Sequence, residues 1–273
     1  MDLQKILSHV NARTPIEELP FTWDGQSYIS EQFNRWAGSP GFSGWPGDLS
    51  TEEETKVMAE LLKVGPGESL LDVCCGYGRH DLLLAKEHGI KVTGVDISPG
   101  LIATAKRMAN EQGLEITYEV RHGRDLPWSA CFDHAAITLN SFSLFSDEDA
   151  PLVLLGVHRS LRPSGRLFMD LDNRPVNCRY GTSDRSWFTS EGFLGLKEIH
   201  FHEARSVEVS RDLGFYDDDV WDFTSFKRLY SKTEIFDLLP AQGFKIDRIC
   251  GGWDLKPFDE RTSEKILVVA SKT

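Results

Sequence analysis

The sequence has no apolar stretch approaching the length of a membrane-spanning helix. Its opening, MDLQKILSHVNARTPIEELP, has no basic region followed by a long apolar run. These absences lead us to expect a soluble, unexported, cytoplasmic chain with no membrane partner. Cysteine is scarce and odd in number, with five residues, Cys74, Cys75, Cys131, Cys178 and Cys250, and no C-x-x-C pair. Adjacent Cys74 and Cys75 are a poor start for a disulfide or a zinc site, so reduced thiols and no metal are expected. Basic residues are outnumbered, 30 Lys and Arg against 42 Asp and Glu, and the net charge of -12 would repel a phosphate backbone. No nucleic-acid partner is expected. Repeats and low-complexity tracts are also missing. What remains is ordinary for a globular chain, 40% hydrophobic and 26% charged over 273 residues, which suits one domain with embellishments.

The first fifty residues are irregular and aromatic, with Phe21, Trp23, Tyr28, Phe33, Trp36, Phe42 and Trp45 around the run GSPGFSGWPG. Residues 1–49 read as an N-terminal arm packed on a core, or as a lid over a ligand site. A regular domain, 50–273, follows. Ser50 with Glu53 forms a capping-box pattern, and Gly65-Pro66-Gly67 ends the helix behind it. SLLDVC, KVTGVDI, EITYEV, CFDHAAITL and GRLFMDLD read as buried strands. Helices fall between them at Arg79–His88, Ser98–Gln112 and from Ser146 to about Leu161. Such alternation predicts a mostly parallel α/β sheet with helices on both faces. Residues 175–230 alternate apolar and polar side chains and read as an antiparallel β insertion, a substrate cap or a homodimer contact. Ser231 and Glu234 then cap a helix ending near Gly243, and FKIDRIC and EKILVVAS complete a seven-stranded sheet.

The chemistry concentrates in Leu70-Leu71-Asp72-Val73-Cys74-Cys75-Gly76-Tyr77-Gly78-Arg79. A strand, a glycine turn and a helix N-terminus place a ligand at the carboxyl edge of a sheet. The turn lets backbone approach the ligand, and unpaired N–H groups at the helix start suit a carboxylate. The next strand ends in Asp96, positioned to accept hydrogen bonds from ribose hydroxyls. An NAD(P)-dependent oxidoreductase is one alternative. Its G-x-G-x-x-G run, read from Gly76, needs a third small residue where Asp81 stands, and its pyrophosphate would face the like charge of Asp72.

LLDVCCGYGR and VTGVDIS, with VRHGRDLPW, FDHAAITLNSF and LRPSGRLFMD after them, resemble the motifs of class I S-adenosylmethionine-dependent methyltransferases. The resemblance covers residues 50–172, and RLYSKTEIFDLLPAQGF is similar to the tail of the small-molecule branch. It implies a Rossmann-like sheet and S-adenosylmethionine as methyl donor, with transfer to N or O of a small molecule. Asp72 and Cys74, Cys75, Gly76 and Gly78 should hold the methionine end. Asp96 should hold the ribose and Ile97 should lie against adenine, with His122 and Gly123 at its edge and Arg124 or Asp125 sharing that contact. Leu139 and Asn140 should face the sulfonium. Two residues depart from the pattern. Cys74 replaces the first glycine, at a position expected to need no positive φ, and His122 replaces a carboxylate, so it reads equally as a structural histidine.

No catalytic residue follows from the sequence. Acceptor contacts are expected among Tyr28, Phe142, Asp172, Asn173, Arg174, Arg228, Tyr230 and Trp253. Cys74 and Cys75 read as packed thiols and His134 as structural. His200 and His202 share one strand face, expected to be the solvent face. Asn140-Ser141-Phe142-Ser143 lacks the prolines of base-methylating relatives. A non-catalytic S-adenosylmethionine-binding accessory protein is the other alternative.

Overall fold

The computed structural model describes residues 3–19, 23, 30–38, 51–178, 183–190, 193–216 and 219–273. Tyr28, Phe42, Trp45 and the Ser50 cap lie outside the described residues. The chain runs through α1 (Leu3–Asn11), α2 (Glu31–Ala37), α3 (Thr51–Leu62), β1 (Ser69–Val73), α4 (Arg79–His88), β2 (Lys91–Asp96), α5 (Pro99–Glu111), β3 (Thr117–Val120) and β4 (Phe132–Ile137). It continues through α6 (Asp149–Ser160), β5 (Leu161–Asp172), α7 (Arg174–Asn177), β6 (Ser183–Ser190), β7 (Phe193–His202), β8 (Val207–Tyr216), β9 (Asp219–Arg228), α8 (Lys232–Ala241), β10 (Phe244–Cys250) and β11 (Lys265–Lys272).

The seven-stranded sheet has the order β10-β11-β5-β4-β1-β2-β3. Pairs from β5 to β3 are parallel, and β11 runs antiparallel to both neighbours. This is the expected Rossmann-like fold. Its central strands are covered on both faces, which is why they read as unbroken apolar runs. Met58, Leu62, Leu70, Leu84 and Phe168 pack one face, while Val153, Val157, Leu167, Ile235 and Leu239 pack the other. Each such side chain, fully buried, contributes roughly 1.5–3 kcal/mol. Local signals also agree. Ser98 accepts from the N–H of Leu101 at 3.1 Å with Pro99 in the first turn, and Ser231 and Glu234 form a reciprocal capping box.

β6 to β9 form a separate antiparallel sheet in sequential order. The N-terminal segment binds one of its faces. Ile16 packs on Val207, Val209 and Phe226, Arg13 pairs with Glu198 at 3.0 Å, and Arg211 donates to the carbonyl of Thr14 at 3.0 Å. His200 and His202 lie opposite Val209 and Val207 on that same face. They are half-buried with rings 4.5 Å apart, so the solvent-face expectation is corrected: the N-terminal segment covers this side. α2 meanwhile docks on α5. Asn34 Oδ1 accepts from Ser98 Oγ at 2.6 Å and from Gly100 N at 2.9 Å. A Cβ on Gly100 would lie 2.1 Å from the carbonyl oxygen of Asn34, so only glycine permits this approach.

No helix among the described residues is long and apolar enough to cross a membrane. All five cysteines are free.

Candidate functional site

The site grows from the turn after β1. Cys74, Gly76 and Gly78 have φ of 65°, 58° and 75°, three left-handed residues in alternation. Cys74 therefore does need positive φ, contrary to expectation. The thiol residue bears the strain of roughly 1–3 kcal/mol that glycine would avoid. The turn is pinned on both sides. Cys75 N donates to the carbonyl of Val95 at 3.0 Å, and Gly76 N donates to Asp96 Oδ2 at 3.0 Å. The second carboxylate oxygen of Asp96 accepts from Ser98 N at 2.9 Å. Each oxygen keeps a further lone pair for an outside donor. Burial raises the Asp96 pKa, while the N–H groups of Ser98, Gly76 and Ile97 oppose that shift.

Beneath the turn lies a buried acid pair. Asp72 and Asp81 stand side by side with the Tyr118 hydroxyl, which itself lies 2.1 Å from where a Cβ on Gly78 would be. Burial raises both carboxyls, and the charge of Asp81 raises Asp72 further, so the pair favours sharing one proton. The thiols of Cys74 and Cys75 are pushed well up by burial and then by nearby carboxylates, which leaves them protonated and packed rather than nucleophilic. At the start of α4, Arg79 pairs with Glu54 at 2.5 Å and donates to Thr51 at 2.7 Å, and His80 reaches the same Glu54 oxygen at 3.0 Å.

Two loops close the remaining sides. After β3, His122 Nδ1 accepts from Arg124 N at 3.2 Å, and its ring lies 5.7 Å from that of Phe145. A Cβ on Gly123 would meet Phe145 at 2.9 Å. Arg124 pairs with Asp149 at 3.1 Å. After β4, Leu139 and Asn140 both have φ of 55°, and β5 holds this strained turn. Asp170 accepts from Leu139 N, Asn140 Nδ2 donates to Asp172 at 2.7 Å, and Asp172 N donates back to Asn140 at 3.0 Å. Lys265 reaches Asp172 at 2.7 Å and Asp170 at 3.6 Å. Burial pushes Asp170 up to about 6, against the opposing pull of Lys265 and the Leu139 N–H.

These parts enclose a cavity of about 370 Å³. It is lined by Cys74, Cys75, Gly76, Asp96, Ile97, His122, Gly123, Arg124, Leu139 and Asn140, all of the expected donor contacts except Asp72, Gly78 and Asp125. Ile97 and Leu139 are 40% and 46% exposed, apolar surface left open to the cavity. A carboxylate with spare lone pairs, apolar walls and a helix N-terminus beside Arg79 are chemically fit to hold a nucleoside carrying an amino-acid tail.

The expected acceptor contacts fall elsewhere. Phe142 and Tyr230 are buried against each other, rings 5.4 Å apart. Asp172 braces the Asn140 turn. Asn173 binds the carbonyls of Glu260 and Ser263 at 3.0 and 2.8 Å. Arg174 and Arg228 pair with Glu234 at 2.8 and 2.6 Å, and Trp253 packs on Phe168 in the core of the opposite sheet face. His134 pairs with Glu68 at 2.9 Å. The cavity instead receives Trp23 from the N-terminal segment and Lys227 from β9, with Tyr77, Arg79, His80, Arg121, Ser141, Leu144 and Phe145. The aromatic arm was the only sequence signal for Trp23. Strand alternation could have nominated Lys227 beside Arg228.

A methyltransferase-domain family pattern matches residues 70–165. The O-methyltransferase resE of Aspergillus sclerotiorum is 32% identical over 124 residues, covering 44% of this chain and 46% of the relative, so the chain matches about half of that protein's length. An uncharacterized methyltransferase of Synechocystis is 31% identical over 176 residues, covering 63% of this chain and 74% of the relative. Among solved structures, an S-adenosylmethionine-dependent methyltransferase from Clostridium acetobutylicum shares the fold, with a TM-score of 0.75 at 16% identity over 82% of this chain and 93% of that one. Sequence similarity, fold and the glycine turn lead to one assignment: the chain belongs to the class I S-adenosylmethionine-dependent methyltransferases.

Proposed function

We propose that this protein transfers a methyl group from S-adenosylmethionine to an oxygen or nitrogen atom of a small molecule. The observation that carries this reading is Asp96: its carboxylate is held by the turn it faces, keeps lone pairs for a diol, and lines a cavity walled by exposed Ile97 and Leu139. In this reading the Cys74–Gly78 backbone and Arg79 hold the methionine end, with Asp72 supplying charge from behind. Ile97 lies against adenine, His122 to Arg124 meet its edge, and Leu139 and Asn140 lie toward the sulfonium and the reacting carbon. The donor supplies an electrophilic sulfonium methyl. The protein orients the acceptor and excludes water. Residues 1–49 and the 175–230 insertion act as the acceptor-side cover, since Trp23 and Lys227 reach the cavity from them. The resE name supports oxygen as one acceptor atom.

The acidic chain argues against a nucleic-acid substrate, and its free thiols fit a reducing cytoplasm. The β6 edge with its exposed Trp187 offers a surface for a homodimer. Incubation with S-adenosylmethionine and a panel of phenols, amines and sugars, read by mass spectrometry for S-adenosylhomocysteine, tests the activity. Acceptor-dependent product is expected. Tight donor binding without transfer to any acceptor would favour the accessory reading instead.

A further inference from the structure

One support of Asp96 comes from outside the Rossmann core. Asp96 Oδ1 accepts from Ser98 N at 2.9 Å, so the placement of Ser98 helps to fix the rotation of the carboxylate. Ser98 is wholly buried, and its Oγ makes two bonds. It accepts from Leu101 N at 3.1 Å and donates to Asn34 Oδ1 at 2.6 Å. The first bond caps α5. The second ties that cap to α2, 64 residues earlier in the chain.

The Asn34 carboxamide is oriented by three bonds. Nδ2 donates to the carbonyl of Ser30 at 2.9 Å, which leaves Oδ1 to accept from Ser98 Oγ and, at 2.9 Å, from Gly100 N. Gly100 N belongs to the first turn of α5, where N–H groups have no partner within the helix. α2 is itself held by both of its neighbours. Thr104 Oγ1 of α5 donates to the carbonyl of Ala37 at 2.5 Å. Toward β9, Gln32 Nε2 donates to the carbonyl of Val220 at 2.7 Å, and the Phe33 ring lies 5.4 Å from that of Phe223. Asn34 therefore meets the start of α5 from a fixed position.

Resting on the methyltransferase reading, we propose that Asn34 is a positioning residue for the methyl donor: acting through Ser98, it holds the Asp96 carboxylate in the orientation that receives the two ribose hydroxyls. Without Asn34 Oδ1, the Ser98 hydroxyl and the Gly100 N–H, both buried, lose their acceptor. The segment from Asp96 to Gly100 then shifts toward other partners, and the carboxylate turns with it. The N-terminal arm thus serves the donor as well as the acceptor-side cover. A role confined to packing would weaken donor binding independently of Asp96.

The test is a double-mutant cycle on S-adenosylhomocysteine binding to the full chain, read by calorimetry. Asn34→Ala should weaken binding about tenfold, the scale of a lost buried hydrogen bond. In an Asp96→Ala background, Asn34→Ala should change affinity by less than about twofold, because the group it positions is gone. Ser98→Ala cuts the same link without altering α2. It should repeat the pattern in both backgrounds, and it decides the question if Asn34→Ala does not fold. Equal weakening in the two backgrounds, or an unchanged affinity in the single variants, would overturn the proposal while donor binding stands. Failure of the unaltered protein to bind S-adenosylhomocysteine would overturn the methyltransferase reading itself.

Discussion

Asp81→Asn isolates the buried acid pair beneath the glycine turn. Asp81 is wholly buried, and burial pushes its carboxyl up from an ordinary 3.8 to about 7, while the neighbouring Asp72 and Tyr118 side chains oppose that rise. The folded state therefore keeps a proton that the unfolded chain has lost between pH 4 and 7. Because the native state binds more protons across that window, stability falls as pH rises through it and levels off above. A shift of about three pH units corresponds to an upper bound of about 4 kcal/mol. Asparagine carries no such proton and removes the like charge from Asp72. Denaturant unfolding at pH 5, 6, 7 and 8 should show the variant's advantage growing with pH, by about 1–4 kcal/mol in total. Parallel profiles for the two proteins would refute the shared-proton account.

Three further outcomes follow from single contacts. Asp96→Ala should weaken S-adenosylmethionine binding by roughly 1–3 kcal/mol in calorimetry, because it removes a charged acceptor and frees the N–H groups of Gly76 and Ser98. Gly123→Ala should lower stability by about 1–3 kcal/mol in denaturant unfolding, since its Cβ would meet Phe145 at 2.9 Å. Gly100→Ala should detach α2 from α5, seen as faster amide exchange over residues 31–37 while β1 and β4 stay protected.

The central sheet was legible because its strands are buried on both faces and its helices carry local caps such as Ser98 and Ser231. Asp96, Ile97, Leu139 and Asn140 could be nominated because strand ends and the turns that follow them are read from spacing alone, and all four line the cavity. The strain at Cys74 escaped notice, since a thiol gives no sign of left-handed backbone. The described acceptor-side candidates do not line this cavity, for a different reason. Arg228 and Lys227 are neighbours with opposite orientations, and only the register of β9 against β8 decides which one meets the cavity. Asp172, Arg174 and Tyr230 find partners distant in sequence, Lys265, Glu234 and Phe142, which consume their polar or aromatic groups in packing.

Calorimetric titration of the full chain with S-adenosylmethionine, beside NADH as the competing dinucleotide, tests the central claim most directly. The account predicts saturable, one-to-one binding of S-adenosylmethionine that is weakened in Asp96→Ala, with no binding of NADH. Binding of NADH, or no heat with S-adenosylmethionine, would contradict it.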